Sequence, residues 1–356
     1  MKPIRVGIVG LGWGELQIEA FRRVRGATVA AVCDADGARA SEIAKRHKIA
    51  QTFADYRALI ASPEIDLVSV ATPPASHSAI ATEAIRAGKH LLVEKPLALN
   101  VAEARALCDA AEARGIVHAV DFEMRFLPAL AYCQELIAEE YLGQLHRVDV
   151  TLTLEQPWGV RGDWAADDAR GGGVLLEMGA HFLDILLWWF GDVRAVMATR
   201  RTHFPVVLLP PTHPEKSEPP VKRAVTADDA FWCVLQFARG GEALLNVVSG
   251  ARHDPGWTIS AVGSRGSLVV QSGGLLGMRD VDREMTILPI PKRLELNDNP
   301  TDPLLWSMAK LGERLIARIK NVPDARAVPD FSAGVAVLRV IDAIRRASAA
   351  REWVTL

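Results

Sequence analysis

Ile4-Arg5-Val6-Gly7-Ile8-Val9-Gly10-Leu11-Gly12-Trp13-Gly14-Glu15 is the stretch whose reading decides the fold. Ile4 to Val9 is a short apolar run on the scale of a strand, and three glycines interrupt it at once. An amphipathic run to Arg25 follows, then a second apolar strand, Thr28 to Cys33, closed by Asp34. Strand, glycine turn, helix, strand and acid in this order spell a dinucleotide-binding βαβ unit. Gly10 permits the tight turn, and Gly12 lets the backbone approach a pyrophosphate. The helix N-terminus offers N–H groups and a positive dipole to the phosphates. Trp13 and Gly14 complete the expected cofactor contacts at the turn. Asp34 is placed to accept hydrogen bonds from ribose hydroxyls and to repel a 2′-phosphate, so NAD rather than NADP is expected. One feature departs from the motif: its third glycine would fall at Glu15, and Gly14 comes one place early. The Glu15 carboxylate must point away from the phosphates.

The alternation continues along the chain. Ile65 to Ala71 reads as a strand, Thr72-Pro73-Pro74 as a turn, and Ser76 to Ala87 as a helix stopped by Gly88. The next apolar run, His90 to Val93, ends in Glu94-Lys95-Pro96; Val101 to Arg114 is a helix and Ile116 to Val120 a further strand. Repeated β/α units with short turns give a doubly wound parallel sheet, whose ligands bind beyond the carboxyl ends of its strands. Thr72, Pro73, Glu94 and Lys95 fall at that edge. Taken alone, Lys95 reads as a solvated loop lysine; its place at a strand end, with Pro96 favouring an extended backbone, makes it a candidate for chemistry. His77 is either a cofactor contact or a surface histidine at a helix start.

A chain of 356 residues is too long for one ordinary core, and the pattern changes after Asp121. The expected division is 1–121, a Rossmann domain, and 122–356, an α+β domain. In the second part, Gln144 to Leu154, Phe231 to Phe237, Ala243 to Ser249, Thr258 to Val262 and Ser267 to Gln271 read as strands joined by glycine turns, hence an open, largely antiparallel sheet. The stretch from Gly171-Gly172-Gly173 to Asp184 reads as a helix starting near 173. Glu177, His181 and Asp184 share one of its faces, at i, i+4 and i+7. A histidine with a carboxylate one turn away on either side can be oriented and tuned as a general base; the competing reading is a buried polar triplet that staples the helix to the sheet. A metal site is disfavoured, because the order is E-x-x-x-H with no second histidine at ligand spacing. His203 to Asp229 carries six prolines and reads as a lid, a subunit contact or a plain excursion. Phe331 to Ala350 is an amphipathic helix.

A net charge of −2 without a basic stripe argues against nucleic acid. Cys33, Cys108, Cys133 and Cys233 are far apart and form no C-x-x-C pair, as reduced core thiols do. With no room for a signal peptide before Ile4 and an apolar run, Phe182 to Phe190, too short for a bilayer, a cytoplasmic protein without membrane contact is expected.

Taken together, Gly10-x-Gly12 with Asp34, Ala71-Thr72-Pro73, His77, Ala87-Gly88-Lys89-His90, Glu94-Lys95-Pro96, Arg125-Phe126-x-Pro128, Gly171-Gly172-Gly173 and Glu177-x-x-x-His181-x-x-Asp184 resemble the glucose-fructose oxidoreductase / inositol dehydrogenase / rhizopine catabolism (Gfo/Idh/MocA) family over nearly the whole chain. The resemblance implies hydride transfer between nicotinamide and a hydroxyl of a sugar, sugar acid or cyclitol. By the same resemblance Lys95 is a catalytic and nicotinamide-side residue, Glu94 a cofactor contact and His181 the acid/base. Glu177 stands where the family commonly has Asp and would orient or relay. A homodimer or homotetramer through the C-terminal sheet is implied. Arg125, Asp163 and Trp164, with Gln156 and Trp158 nearby in sequence, are candidates for substrate contact. Two alternatives stay open: a redox-assisted glycoside hydrolase or lyase that retains its NAD, and a non-catalytic NAD- or sugar-binding regulator.

Overall fold

The computed structural model describes residues 2–157, 159, 163–209, 220–271, 274–295, 302–323 and 327–356. They pack as two units, Met1–Leu127 with Leu296–Val335 and Pro128–Glu295 with Ala336–Leu356.

The first unit alternates strands and helices: β1 (Ile4–Val9), α1 (Gly14–Arg23), β2 (Ala27–Cys33), α2 (Gly37–Arg46), β3 (Gln51–Phe53), α3 (Tyr56–Ala61), β4 (Leu67–Val70), α4 (His77–Arg86), β5 (His90–Val93), α5 (Val101–Arg114) and β6 (His118–Val120). All six strands are parallel, in the order β3-β2-β1-β4-β5-β6. The reversal between β1 and β4 makes the switch point at which such sheets open a crevice. Strands covered by helices on both faces have no solvent side, so they are apolar throughout rather than alternating. β4 accordingly is buried at every residue and β5 at all but its first.

The second unit opens with α6 (Pro128–Ala138). Its nine-stranded sheet has the order β16-β15-β14-β13-β7-β12-β11-β8-β17. The strands are β7 (Leu145–Leu154), β8 (Val193–Arg201), β11 (Ala230–Phe237), β12 (Glu242–Ser249), β13 (Gly256–Gly263), β14 (Gly266–Gln271), β15 (Gly274–Arg279), β16 (Thr286–Ile287) and β17 (Val354–Thr355). Among the described residues only its β7–β12 pair is parallel. Burial alternates along β12, where Ala243, Leu245 and Val247 are buried while Leu244 and Asn246 are exposed. One face is therefore core and the other open, as an antiparallel sheet permits. The core face receives α7 (Ala180–Phe190), whose apolar run is almost wholly buried and so belongs to the protein interior. Between β8 and β11, β9 (Val206–Leu209) and β10 (Val221–Ala224) form a hairpin. Residues 210–219 of the proline-rich connection lie outside the described residues, as does Trp158.

The division differs from a single cut after residue 121. The 3-10 turn Glu123–Phe126 stays with the first unit, and the chain returns to that unit as α8 (Pro303–Ile319). The return has a physical cause in the apolar stripe of α8. Met308, Leu311 and Leu315 are buried in one cluster with Phe21 and Val24, and a side chain at Gly312 would meet Val24 Cγ2 at 3.0 Å. The last long helix, α9 (Phe331–Ala350), starts in the first unit, where Phe331 lies 4.5 Å from the His118 ring, and its residues from Ala336 on belong to the second.

Candidate active site

In the first unit the charged candidates lie at the carboxyl ends of the strands. Gly10 sits at φ +89°, and a Cβ there would stand 2.7 Å from the Ala71 carbonyl oxygen, so only glycine lets β1 leave the sheet against β4. Around Gly12 there is open space, with nothing within 4 Å of where a Cβ would be. Trp13, half exposed, gives α1 no side-chain cap, which leaves the helix's first N–H groups to a ligand. The Asp34 carboxylate closes the turn from the next strand: Oδ2 accepts from the Leu11 N–H at 2.8 Å and Oδ1 from that of Asp36 at 2.9 Å. A carboxylate offers about four acceptor positions, so both oxygens keep capacity for ribose hydroxyls. A glycine turn open to solvent, an uncapped helix start and an acid beside them fit the pyrophosphate and ribose of NAD.

Gly14 and Glu15 resolve the departure from the motif. A Cβ on Gly14 would come 2.9 Å from Ile8 Cγ2, so it is Gly14 that allows the helix to lie close on β1. The Glu15 carboxylate turns to the end of α2, accepting from Arg46 Nη1 at 2.6 Å and facing His47 Nε2 at 2.9 Å. The His47 contact, then Arg46, holds its carboxyl below the usual range.

His77 is not a surface histidine. It is fully buried, with Nδ1 2.8 Å from the Pro96 carbonyl oxygen and Nε2 2.7 Å from that of Thr72. It ties the turn after β4 to the turn after β5, and burial pushes its pKa down. Thr72 Oγ1 accepts from the Ser76 hydroxyl at 2.7 Å, and Pro73 precedes a 3-10 turn, Pro74–Ser76.

Lys95 is half-buried at the end of β5, and its peptide bond to Pro96 is cis. Glu94 turns inward: its Oε2 accepts from the Lys95 N–H at 3.3 Å and its Oε1 from Gln17 Nε2 at 2.9 Å. The same Gln17 nitrogen donates to Asp121 Oδ2 at 2.9 Å, while Gln17 Oε1 accepts from the Ser69 hydroxyl at 2.7 Å. Gln17, Ser69, Glu94, Asp121 and Glu123 are all buried. Burial, followed by the Asp121 and Glu123 charges, raises Glu94 well above the carboxylate range. Burial also raises Asp121, to about 6. Sequence reasoning used Asp121 only as a boundary and missed Gln17 and Glu123 altogether. The available signal was positional, since Asp121 follows β6 as Asp34 follows β2 and Glu94 follows β5. Arg125, half-buried, lies in the 3-10 turn Glu123–Phe126.

In the second unit Glu177 and His181 sit where the helix begins. Leu175–Gly179 is a π-helical turn that runs into α7, a local widening common at functional sites. Glu177, His181 and Asp184 are all buried. Asp228 fixes the start of this helix. Its backbone oxygen accepts from the Val174 N–H at 2.9 Å and its Oδ2 from the Leu175 N–H at 2.9 Å. Gly173 makes room, because at φ +106° a Cβ would stand 2.5 Å from Asp228 Oδ1. Arg200 Nη2 pairs with both Asp228 Oδ1 and Asp168 Oδ1 at 2.7 Å, and Arg345 reaches Asp168 at 3.3 Å. Asp163 caps the 3-10 turn Trp164–Ala166 by accepting from the Ala165 N–H at 3.0 Å, and Trp164 is half-buried. A Cβ on Gly172 would come 2.4 Å from the Ala165 oxygen, so the glycine run packs directly against that turn.

A parallel six-stranded sheet with this glycine turn and strand-end acid is the pattern of a dinucleotide-binding domain. Residues 4–122 match the model of an oxidoreductase family with an NAD-binding Rossmann fold, and residues 130–269 match the GFO/IDH/MocA C-terminal domain. The chain belongs to the GFO/IDH/MocA family, and its cofactor is NAD. It is 29% identical to an uncharacterised oxidoreductase of Synechocystis sp., over 99% of this chain and 96% of that one. It is 27% identical to levoglucosan dehydrogenase of Pseudarthrobacter phenanthrenivorans, over 91% and 88%. Among solved structures, apo levoglucosan dehydrogenase superposes with a TM-score of 0.88 at 24% identity, covering 100% of this chain and 99% of that one, and so shares the fold.

Proposed function

We propose that the protein is an NAD-dependent dehydrogenase acting on a carbinol of a sugar, sugar acid or inositol-like compound. The observation that carries this reading is the common edge of the first unit's sheet, where the glycine turn and Asp34 lie at the ends of β1 and β2 and Lys95 at the end of β5. Relatives named for levoglucosan, for a D-glucoside and for D-apiose support the substrate class. Gly10, Gly12, Trp13, Gly14 and Asp34 would hold the pyrophosphate and adenosine ribose, with Thr72, Pro73 and Lys95 toward the nicotinamide. When bound, NAD supplies the carbon that accepts the hydride. His181 takes the hydroxyl proton on a ring nitrogen, with Glu177 as its orienting carboxylate. Lys95 is the polarising and relay group, because a cation beside a forming carbonyl stabilises developing negative charge. Arg125, Asp163 and Trp164 contribute contacts to the remaining hydroxyls. Four buried, unbridged cysteines support a cytoplasmic location.

The experiment is NADH absorbance during incubation with NAD or NADP and a panel of free sugars, sugar acids, inositols, anhydrosugars and glucosides. NADH formation from one compound is expected. With that compound, Lys95→Ala and His181→Ala each lower turnover on the order of 10²-fold or more while NADH affinity stays nearly intact. Unchanged turnover in either variant removes that residue from the mechanism. A silent panel from a protein that binds NADH overturns the dehydrogenase reading.

A further inference from the structure

The proposed mechanism gives no proton-transfer step to two buried acids of the first unit, Glu94 and Asp121. They belong to different strand ends, yet both accept from one amide nitrogen, Gln17 Nε2, at 2.9 Å. The orientation of that amide is fixed from behind, since its oxygen accepts from Ser69, which is fully buried. An NH2 group has two hydrogens, so one goes to each carboxyl and the two acids are held side by side. Asp121 Oδ1 has no other hydrogen-bonding partner among the described residues. Two carboxylates in one dry site cannot both ionise, because burial and mutual repulsion act in the same direction. A proton between them removes the repulsion and gives the second acid the donor that Gln17 cannot supply.

We infer that Glu94 and Asp121 hold one proton between them and act as a positioning pair for Lys95, presenting its ammonium with one negative charge throughout the neutral range. Several groups around the pair set its balance. Gln17 and Ser69 are neutral. Glu123, on the turn after β6, adds negative charge that opposes ionisation of Glu94. Lys95 favours ionisation of both acids. His77, on α4, feels the Lys95 charge and is driven by burial toward its neutral form. The geometry also reaches Lys95 directly, since Glu94 Oε2 accepts from its backbone N–H. With both acids protonated, nothing in the pair would hold the lysine charged; with both ionised, two charges would be buried beside one another. One shared proton avoids both.

A shared proton has a signature that two independent charges lack. In Asp121→Asn the amide N–H can donate to Glu94 as the proton did, and Glu94, relieved of its neighbour, carries the single charge. Glu94→Gln leaves the charge on Asp121 in the same way. Only the double variant removes it. The test is the titration midpoint of the Lys95 side chain, followed by NMR on lysine-labelled protein and assigned with Lys95→Arg. Each single variant is expected to leave the midpoint within a few tenths of a pH unit, and the double variant to lower it by roughly one unit or more. If each single variant moves the midpoint by about half the double's shift, both acids are ionised and the inference fails. It fails equally if the double variant moves nothing. In the unsubstituted protein, carboxyl-labelled aspartate and glutamate must together show one protonated group at pH 7, an observation that needs no variant to fold. The inference takes from the proposed mechanism only the importance of the Lys95 charge. If Lys95→Ala leaves turnover intact, that mechanism falls while the proton count stands on its own.

Discussion

Asp228→Ala removes the side chain that starts the helix carrying Glu177 and His181. Two losses follow. The Leu175 N–H, satisfied by Asp228 Oδ2 at 2.9 Å, becomes a buried orphan, which costs about 1–3 kcal/mol. Arg200 loses the carboxylate on its Nη2 and Nε, and breaking a buried pair costs about 3–5 kcal/mol when nothing replaces the partner. Here Asp168 remains 2.7 Å from the same Nη2. Asp228 itself is not cheaply held either, since burial raises its carboxyl despite the Arg200 charge. Both facts reduce the second loss, and a total of about 2–4 kcal/mol is expected. Asp228→Asn keeps an oxygen for Leu175 and should cost less than half as much. Among the described residues Trp164, Trp188, Trp189, Trp232, Trp257 and Trp353 belong to the second unit and Trp13 and Trp306 to the first, so urea unfolding followed by tryptophan fluorescence is weighted toward the right part of the chain. NADH affinity, a property of the first unit, should stay unchanged while turnover falls. A stability within about 0.5 kcal/mol of the parent for Asp228→Ala, or an equal loss in the alanine and asparagine variants, would refute the reasoning.

The remaining predictions concern pH and self-association. Asp121 is raised to about 6 in the folded protein, above the unfolded value of about 4. The folded state therefore binds more protons between these two values, and stability is full below about pH 4 and declines as pH rises through about 6, by up to about 3 kcal/mol. Asp121→Asn should flatten that decline, measured as urea midpoints at pH 4.5 and 7; parallel pH curves would sink the assignment. Trp232, Leu244 and Val262 are exposed on the open face of the second unit's sheet, and an aromatic centre in such a patch is worth about 2–4 kcal/mol in an interface. The homo-oligomer that the family resemblance implies should thus dissociate at least about 30-fold more readily in Trp232→Asp, read by light scattering across a dilution series. An unaltered mass at every concentration, or a parent that is already monomeric, removes that face from assembly.

Much of the fold was legible because its signals are local. Alternation in residues 144–154 and 231–271 places five strands of the second sheet within a residue or two of their observed ends, since a strand with one wet face must alternate. The strand, glycine turn and acid at the start of the chain are equally local. What could not be read is which surface a correctly patterned element covers. The helix Pro303–Ile319 is amphipathic in sequence, but its apolar stripe does not say that the partner is α1, some 300 residues earlier. The single cut after residue 121 missed this return for that reason. His77 illustrates the same limit at the scale of one side chain: its two carbonyl partners come from turns after two different strands.

The site divides along the same line, and the division explains which of its residues resist sequence reading. Gly10 and Asp34 can be named from spacing because the cofactor-facing edge of a parallel sheet is a backbone device, set by where strands end. The residues that tune it are polar groups buried behind that edge, whose meaning depends on one another. Gln17 is an ordinary helix residue until Glu94 and Asp121 are found on its nitrogen; Asp228 is an ordinary turn acid until Gly173 is seen to make room for it. Glu15 shows the converse. In sequence it is an unwelcome carboxylate at a phosphate site, and its harmlessness rests on Arg46 and His47, a helix away. Motif reading thus finds the groups that meet a ligand, while the groups that set their charge and position become visible only as pairs.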